Sequence, residues 1–511
     1  CVGVGVGGIG PPVEVGVEQL EECEEEVLKL GQTKTLNATV PYRPSQSDYA
    51  IPGGDLQVLR SQVSAKRRKP LRWLFSKAGK QVSLIKPCIV ASPLAVAQFL
   101  HADSFQFDLV IFDEASQIPT ADAVVPISRA KQVVIVGDSQ QMPPTTFFDR
   151  AQSMRRDDDG FIYESVLGQC DSLLPSETLL WHYRSEDERL IAFSNRNFYR
   201  GDLRTFPSSW DLHPELGVKF HYLPDAVYGR GGSAANPMEA ERVIEILEEE
   251  LSSRPENTVG VTAMSIRQSV EIQDRIEMVA ADNEIIQGWL DDGGRARNLE
   301  TIQGDEFDVS ILSFGYGKDE AGTPQLNFGP LSQPDGYRRL NVAITRARKK
   351  TIVVTSLRAS DIDMARVGPG GQLVRSYLDY AERGPIALGD DLQVPGGNVY
   401  ESIFEEEVAR QVRGRGWQVD TQVGVSRYRI DLGIRHPNYP GRFLAGIECD
   451  GATYHSSETA RDRDVARQTV LERRGWNIYR IWSTEWFKDR ERVLTDLQSY
   501  LQSLLDDDGE S

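Results

Sequence analysis

The stretch FDLVIFDEASQ, Phe107–Gln117, decides the fold that we predict for this chain. Leu109–Phe112 is an unbroken apolar run, which predicts a strand buried on both faces of a parallel sheet. Asp113 and Glu114 follow directly, at the end of the strand where open α/β sheets bind their ligands. One carboxylate can hold a divalent metal while the other orients and deprotonates water. Alternatively, either acid only caps the next helix, so the segments that follow decide between the two interpretations.

Composition limits the class of protein. At 511 residues we expect roughly three or four domains of about 150 residues each. The chain is 40% apolar and 26% charged, which is typical of a soluble globular protein. No apolar run approaches the roughly 18 residues of a membrane span, and no signal-peptide pattern opens the chain. The five cysteines form no CxxC pair, which argues against a zinc ribbon or disulfide framework and favours a reducing, cytoplasmic setting without a membrane partner.

The net charge of −19 disfavours nucleic acid as a partner when it is taken alone. Acidic residues, however, are concentrated in Glu18–Glu26, Glu239–Glu250 and the tail Asp506–Glu510. Basic residues form separate clusters at Lys66–Lys69, Arg338–Lys350 and Arg410–Arg415. Local basic patches can bind phosphate while the rest of the surface repels it, so the net charge does not exclude a nucleic-acid partner.

Apolar strand patterns alternate with short helical patterns along the first 360 residues. The predicted strands are Cys88–Ser92, Leu109–Phe112, Val133–Asp138, Thr258–Ala263, Val309–Phe314 and Thr351–Thr355. Helices are predicted at Leu94–Leu100, Ala121–Pro126 and Ala240–Leu251. This alternation predicts parallel, doubly wound sheets.

Further polar segments follow the opening carboxylates in order: GDSQQMPPT at Gly137–Thr145, HYRS with Arg184, TIQGDE with Gln303, Gly304 and Glu306, and NVAITRARKK with Arg346 and Arg348. Each one alone is as consistent with a solvated turn or a surface ion pair. Phosphoryl transfer, however, needs metal-holding acids and positioned cations. Acids on one α/β unit and arginines on a second predict a nucleotide site that both units share.

Together these motifs resemble the superfamily 1 helicases, in the branch related to the nonsense-decay helicase. DEASQ is similar to motif II, GDSQQMPP to motif III, HYRS to the motif that opens the second RecA-like domain, TIQGDE to motif V and NVAITRAR to motif VI. The resemblance covers roughly Pro87–Thr355. It implies two RecA-like domains, ATP and Mg²⁺ as cofactors, and a nucleic acid as partner.

The resemblance also implies a role for each motif residue. Asp113 would ligate Mg²⁺, Glu114 would be the general base, Gln140 would contact the γ-phosphate, and Arg184 and Arg346 would be arginine fingers. Gln303 and Glu306, on either side of Gly304, would couple the nucleotide to the strand and the ribose. CIVASPLAVAQFL resembles the motif that grips a single strand, with Ser92 and the adjacent Pro93 as phosphate contacts.

One family feature is missing: residues 1–511 contain no G-x-x-x-x-G-K-[ST] loop, and Gly8 and Gly10 offer no Lys-Ser/Thr pair. Without that loop the β- and γ-phosphates lack their main cradle. Because the chain begins with Cys1 and not Met, we favour a truncated chain over a natural pseudo-ATPase. In either case we expect this chain not to hydrolyse ATP efficiently.

The C-terminal segment carries a second cluster of acids. A helix is predicted within Asn398–Trp417, opened by the capping box of Ser402 and Glu405. Alternation in Arg427–Arg435 puts Asp431 on the polar face of a strand, and in Leu444–Asp450 it puts Glu448 and Asp450 on one face. Carboxylates from two neighbouring strands can hold a divalent metal, with His455 as ligand or base. The alternative is that Asp431 and Glu448 are surface charges on an exposed sheet face.

YRIDLGI, IECDGATYH and RRGWNIYRIW resemble the restriction-endonuclease-like fold, in particular the very-short-patch-repair endonucleases, over about Val399–Gln502. The resemblance implies Mg²⁺- or Mn²⁺-dependent DNA cleavage, with Asp431 and Glu448 as metal ligands and Glu405 as a further acid. Asp450 stands where the usual PD-(D/E)xK signature has lysine. Whether Asp450 or His455 activates water therefore stays open.

The predicted plan is α/β throughout: two RecA-like parallel-sheet domains followed by a restriction-endonuclease-like α/β domain. The boundaries are 1–86 for a remnant of the first motor domain with a basic insertion, 87–177 and 178–360 for the two RecA-like domains, 361–398 for a linker with a helix, 399–505 for the nuclease-like domain and 506–511 for an acidic tail. We expect an ATP-dependent helicase or translocase coupled to a DNA endonuclease. A catalytically dead nucleic-acid scaffold and an RNA-directed helicase are the alternatives.

Overall fold

The computed structural model describes residues 26–27, 29–37, 54–100, 105–144, 164–211, 213–333, 335–389, 400–426, 428–450 and 460–508, with side chains from 467 onward in the last range. The chain forms two compact units. The first consists of Cys1–Ser139 and Pro143–Pro175, and the second of Gln140–Met142 and Ser176–Ser511.

The first unit is built on two parallel strands, β1 (Phe107–Phe112) and β2 (Ala130–Ile135), with Phe112 opposite Ile135. Its helices are α1 (Asp55–Val63), α2 (Leu71–Ile85), α3 (Pro93–Phe99), α4 (Thr120–Ile127) and α5 (Val166–Asp171). One face of the sheet packs on α4 and α5 through a cluster that includes Val110, Phe112, Val133, Ile135, Ala123 and Val166.

The prediction that β1 is buried on both faces is wrong. Leu109 is 43% exposed and Ile111 is 61% exposed, both on the face of β1 that α4 and α5 do not cover. A strand is buried on both sides only where helices cover both faces of its sheet, and within the part of the chain that the structure describes this sheet has two strands. Cys88–Ser92 is likewise not a strand, and Val90 is 97% exposed because no described strand lies beside it.

The second unit begins with a fully parallel five-stranded sheet in the order β3-β7-β6-β4-β5. Its strands are β3 (Gly217–Tyr222), β4 (Val259–Ala263), β5 (Ala296–Asn298), β6 (Phe307–Ser313) and β7 (Ala347–Thr355). Its helices are α6 (Arg189–Phe198), α7 (Pro237–Ser253), α8 (Ile266–Ala280), α9 (Glu284–Asp291) and α10 (Gly336–Ile344). The strands predicted near β4, β6 and β7 are confirmed, with their ends shifted by a few residues. β4 is buried along its whole length, as a central strand with helices on both faces must be.

The helix that the sequence assigns to a linker is part of this domain. α11 (Pro369–Arg383) buries Val374, Tyr377, Leu378 and Tyr380 in the same hydrophobic cluster as Phe193 of α6. The ring of Tyr377 lies 5.2 Å from that of Phe193 in an edge-on arrangement. The apolar residues of α11 recur three and four positions apart, so they form one stripe that packs on the domain core.

The C-terminal domain is a mixed sheet in the order β11-β10-β9-β8. Its elements are α12 (Ile403–Gly414), β8 (Val419–Val423), β9 (Ile430–Arg435), β10 (Phe443–Asp450), α13 (Ala460–Arg473), β11 (Ile478–Trp482), α14 (Ser483–Lys488) and α15 (Arg490–Asp508). β8, α14 and α15 were not predicted, and α15 continues into the acidic run assigned to a tail. Among the described helices, none is long and apolar enough to cross a membrane.

Candidate functional site

The acid pair Asp113–Glu114 lies directly after β1, as predicted. Both residues are exposed, and no described cation forms an ion pair with either carboxylate. The Glu114 amide donates to Asp113 Oδ1 at 2.9 Å, and Gln117 Nε2 donates to Glu114 Oε2 at 3.3 Å. Glu114 has a φ of 52°, a left-handed conformation that is costly for a residue with a side chain and that is often found at functional sites. The sharp turn presents two unneutralised carboxylates at the strand end, which suits a divalent metal.

Gly137, which follows β2, brings a second chain segment against this turn. A Cβ at Gly137 would lie 3.0 Å from the Ser116 amide and 3.1 Å from the Ala115 amide. The hydroxyl of Ser116 is buried without a hydrogen-bond partner among the described atoms. Such an orphaned group close to a metal-type acid pair is expected where a ligand or water completes the site.

Gln140 belongs to the second compact unit, together with Gln141 and Met142. Its backbone carbonyl accepts a hydrogen bond from Asn341 Nδ2 at 3.0 Å. Met142 packs against Ile302 and Val342, beside the TIQGDE and NVAITRAR segments. Parts of three predicted motifs thus lie together in this unit.

Arg184 and Glu306, predicted from separate motifs, form an ion pair of 3.0 Å. Arg348 joins them, with its Nε 3.7 Å from Glu306 Oε1 and its guanidinium 2.7 Å from Asp308 Oδ1. The Glu186 amide also donates to the Arg348 carbonyl at 2.7 Å. The arginine after HY and the acid of TIQGDE are therefore in direct contact, and Arg348, named in the sequence but given no role there, completes the cluster.

His182 shapes the turn that carries Arg184. Its Nε2 accepts a hydrogen bond from the Ser185 amide at 3.2 Å and lies 2.8 Å from the Ser185 hydroxyl. Burial, with the nearby positive charges of Arg184 and Arg474, lowers the pKa of His182 to about 4. The imidazole is therefore neutral at physiological pH, as its role as an acceptor requires.

Arg346, predicted as an arginine finger, is only 3% exposed. Its guanidinium donates to the carbonyl oxygens of Val342 at 2.7 Å and Asp305 at 3.2 Å. Gly304 has a φ of 88°, which a side chain would strain, and the side-chain amide of Gln303 is buried without a described partner. In this structure Arg346 holds the TIQGDE turn from behind, whereas Arg184 and Arg348 are the more exposed cations.

Ser92 and Pro93 form the start of α3. The Ser92 hydroxyl accepts a hydrogen bond from the Ala95 amide at 3.3 Å, and Pro93 is the first helical residue. This arrangement is an ordinary N-cap. It leaves the predicted phosphate contact at Ser92 as a prediction.

In the C-terminal domain, β9 and β10 are antiparallel with Leu432 opposite Ile447, so that Asp431 lies next to Glu448. The Cys449 amide donates to Asp431 Oδ2 at 2.7 Å. Burial, and next the negative charge of Glu448, raise the pKa of Asp431 to about 8. Two adjacent, largely shielded carboxylates that disfavour each other's charge form a site to which a cation would bind favourably.

Glu448 is 7% exposed, whereas the surface-charge alternative requires an exposed carboxylate. Arg467 donates to both of its carboxylate oxygens at 3.1 and 3.2 Å, and the Tyr428 hydroxyl donates to Oε1 at 3.2 Å. The Arg467 guanidinium also stacks 3.8 Å from the centre of the Tyr428 ring. Glu448 therefore already has one cationic partner within the protein.

The remaining predicted acids are less closely grouped. Asp450 pairs with Arg480 at 3.5 Å, and Glu405 accepts hydrogen bonds from the Glu401 amide, the Ser402 hydroxyl and Gln422. His455 lies outside the described residues. Within the described ranges no group of three or more His, Cys, Asp or Glu side chains is arranged to hold a metal. Asp431 and Glu448 therefore fit as two ligands of a metal, and the described residues supply no third.

Sequence reasoning missed the junction between the parallel-sheet domain and the C-terminal domain. Glu188, just before α6, is 6% exposed and accepts hydrogen bonds from the Val425 amide at 2.9 Å and the Thr205 hydroxyl at 3.0 Å. Burial raises the pKa of Glu188 to about 7. No local pattern could have indicated this contact, because Val425 is far away in the sequence.

Arg474, at the end of α13, joins the C-terminal domain to the turn that carries Arg184. It donates to the Ser185 carbonyl at 2.6 Å and the Phe206 carbonyl at 3.1 Å. Trp476 Nε1 donates to the Pro207 carbonyl at 2.9 Å. Burial lowers the pKa of Arg474, since its described hydrogen bonds go to neutral carbonyls and to no carboxylate.

Comparison with known families matches three parts of the chain. Models described as AAA domain match residues 58–148 and 164–358. The REase_MTES_1575 model matches residues 404–501. The predicted resemblance and the predicted fold class are confirmed.

The similar proteins are helicases. An uncharacterized ATP-dependent helicase of Mycoplasma pneumoniae, the MG140 homolog, is 26% identical over 466 residues, which are 85% of this chain and 40% of the relative. The ATP-dependent helicase upf1 of Schizosaccharomyces pombe is 26% identical over 312 residues, 58% of this chain and 31% of that protein. A solved arterivirus nonstructural protein 10 (helicase) in complex with DNA matches 48% of this chain and 39% of its own, at 11% identity and a TM-score of 0.24. This chain thus spans less than half the length of these relatives.

Proposed function

We propose that this chain, a superfamily 1 helicase core joined to a restriction-endonuclease-like domain, belongs to an ATP-dependent motor that delivers DNA to a metal-dependent nuclease. The observation that carries the nuclease part is the pair of adjacent carboxylates, the partly buried Asp431 and the buried Glu448, on neighbouring strands. The motor part is supported by the exposed acid pair after β1 and by the cluster of Arg184, Glu306 and Arg348.

In the motor, Asp113 would hold Mg²⁺ and Glu114 would orient and deprotonate the attacking water. Arg184 would offset the charge that develops on the transferred phosphoryl group, and Gln140 would contact the γ-phosphate. Arg346, predicted as a second arginine finger, would instead hold the TIQGDE turn through the carbonyls of Val342 and Asp305. Such positioned charges supply most of the catalysis in phosphoryl transfer. The turn of Gln303, Gly304 and Glu306 would connect the nucleotide to the bound strand. Glu306 joins this turn to Arg184 through an ion pair.

In the nuclease, Asp431 and Glu448 would hold Mg²⁺ or Mn²⁺, which would polarise a phosphodiester and lower the pKa of a bound water. Asp450 or His455 would take the proton from the attacking water. Arg467, at 3.1 Å from Glu448, partly neutralises this site until a divalent cation replaces its contact.

The nuclease proposal is tested by nicking of supercoiled plasmid DNA with Mn²⁺ or Mg²⁺. Asp431→Asn should abolish nicking, because it removes one of the two proposed metal-binding carboxylates. Glu485→Gln, a change at an exposed acid of the same domain, is the matched control and should cleave like wild type. Full cleavage by Asp431→Asn would reject the assigned site.

The motor proposal leads to a separate expectation for this chain. The 511 residues contain no G-x-x-x-x-G-K-[ST] loop, so DNA-stimulated release of phosphate from ATP should stay at background. Measurable turnover that Glu114→Gln removes would show that another segment holds the phosphates.

A non-catalytic DNA-binding role is the second candidate, and one observation favours it. The ion pair of Glu448 with Arg467 satisfies the carboxylate without a metal, as a purely structural buried pair would. In that case wild-type protein would bind duplex DNA and fail to nick it at any Mn²⁺ concentration. A competition between DNA and RNA oligonucleotides of one sequence would separately test the RNA-directed alternative.

A further inference from the structure

A cleft of about 620 Å³ lies at the junction between the parallel-sheet domain and the C-terminal domain. On one side it is lined by Tyr183 and by Trp210, and on the other by Arg442, Arg473 and Arg474. Tyr183 directly precedes Arg184 in the chain. The cleft therefore connects the turn of the motor arginine with the nuclease-like domain.

Three arginines and one carboxylate are among the residues that line the cleft. Arg474 donates hydrogen bonds to the backbone carbonyl oxygens of residues 183, 185, 186 and 206. These neutral acceptors orient the guanidinium without neutralising its positive charge. Arg473 is exposed, and no described residue forms an ion pair or hydrogen bond with its side chain. Glu186 is the one carboxylate among the described lining residues. A partly buried cation whose described hydrogen bonds go to neutral carbonyls, beside a second cation without a described partner, attracts an anion.

Aromatic side chains accompany these cations. Tyr183 is 59% exposed, so its ring is available to a ligand. Trp210 lies beneath Arg442, whose guanidinium is 5.7 Å from the centre of the indole ring. Arginines that contact phosphates, together with aromatic faces on which bases stack, are the combination that binds single-stranded nucleic acid without sequence preference.

We infer that this cleft binds a single strand of nucleic acid, with phosphates at Arg473 and Arg474 and a base against Tyr183 or Trp210. This inference rests on the proposed function and adds the path of the strand: a strand that leaves the motor passes through the junction toward the nuclease-like domain. A free nucleotide shares the phosphate and base chemistry but spans only one such contact, so the length of the ligand distinguishes the two.

The test is fluorescence anisotropy of a labelled 20-residue oligothymidylate with the full 511-residue chain, over a range of salt concentrations. Arg473→Glu should raise Kd roughly tenfold and flatten the slope of log K against log salt by about 0.7, the value for one phosphate contact on a single strand. Arg366→Glu is the matched control, since Arg366 is also exposed and has no described side-chain partner. It should leave both quantities unchanged. Equal thermal unfolding of both variants would show that folding is intact.

Three other outcomes would contradict the cleft as the binding site, the single strand as its ligand, or the proposed function. If wild-type protein binds the oligonucleotide and Arg473→Glu behaves like Arg366→Glu, the cleft is not the binding site, although the proposed function stands. If thymidine monophosphate binds wild type as tightly as the oligonucleotide does, and Arg473→Glu weakens both equally, the cleft recognises a single nucleotide and not a strand. If wild type binds no nucleic acid, the proposed function fails together with the cleft.

Discussion

The buried carboxyl of Glu188 should make the stability of the second unit depend on pH. Its folded pKa is about 7, against 4.5 for the free group, mainly because of burial. A carboxyl whose folded pKa is raised stabilises the folded state while it is protonated, and this contribution is lost as the pH rises through the folded pKa. Between pH 5 and pH 8 these two values correspond to a loss of about 2.5 kcal/mol in the free energy of unfolding.

Glu188→Gln should remove this dependence without losing the contacts. The glutamine carbonyl can accept from the Val425 amide, and its NH₂ can donate to the Thr205 hydroxyl, which rotates to accept. We therefore expect the variant to gain stability relative to wild type by about 2.5 kcal/mol as the pH rises from 5 to 8. The measurement is urea denaturation of both proteins, followed by tryptophan fluorescence at four pH values across this range.

The comparison between the two proteins cancels other titrating groups, including Glu239, whose pKa burial also raises to about 7. Glu320→Gln, at an exposed acid of the same unit, should track wild type at every pH. If the difference between Glu188→Gln and wild type is the same at pH 5 and pH 8, Glu188 ionises as it does in the unfolded chain. The junction would then not be as dry as the structure indicates.

Two further substitutions test the packing of the parallel sheet and the occupancy of the nuclease site. Gly260→Ala, in β4, would put a Cβ 2.2 Å from the ring of Phe307 and should lower the free energy of unfolding, measured by urea denaturation, by about 1–3 kcal/mol. The control Gly288→Ala, in α9, meets nothing within 4 Å and should raise the free energy of unfolding by about 0.5–1 kcal/mol. Equal denaturation midpoints for the two variants would contradict the close packing at Gly260. Arg467→Met removes the guanidinium from Glu448 and should lower the Kd for Mn²⁺, measured by calorimetry, about tenfold. The control Arg410→Met, at an exposed arginine of the same domain, should leave the Kd unchanged. An unchanged Kd for Arg467→Met would mean that Glu448 binds no metal.

The sequence predicted those features that depend on residues close together in the chain, such as strand positions and helix caps. The acid pair follows β1 as expected, and the Ser402–Glu405 capping interaction is present, with the Glu405 amide donating to the Ser402 hydroxyl at 3.1 Å. Strand positions near β4, β6, β9 and β10 were also predicted, because the period of apolar residues reports burial on one or both faces. β8 carried the same alternating signal, with Val419, Thr421 and Val423 buried, and could have been found.

The features that the sequence did not predict depend on contacts between segments that are far apart in the chain. The exposure of Leu109 and Ile111 follows from the number of helices that cover their sheet, which the apolar run itself does not report. Glu188 and Val425 lie 237 positions apart, and Arg474 and Ser185 lie 289 apart. A lone glutamate before a helix and an arginine at a helix end are typical of solvated surfaces, so neither residue type nor spacing indicated that both lie at a junction between domains.

Arg474 joins the C-terminal domain to the parallel-sheet domain through its hydrogen bonds. Separation of the C-terminal domain from the parallel-sheet domain would break the Arg474 hydrogen bonds to the carbonyls of residues 183, 185, 186 and 206. The net contribution of a hydrogen bond to a charged group is about 1.5–3 kcal/mol. The same turn carries Arg184, whose ion pair with Glu306 depends on the course of the backbone there. His182 and Ser185 close that turn by their own hydrogen bond. Arg474 of the nuclease-like domain and the Arg184 turn are thus in direct contact, and we expect a shift of the C-terminal domain to displace the Arg184 turn.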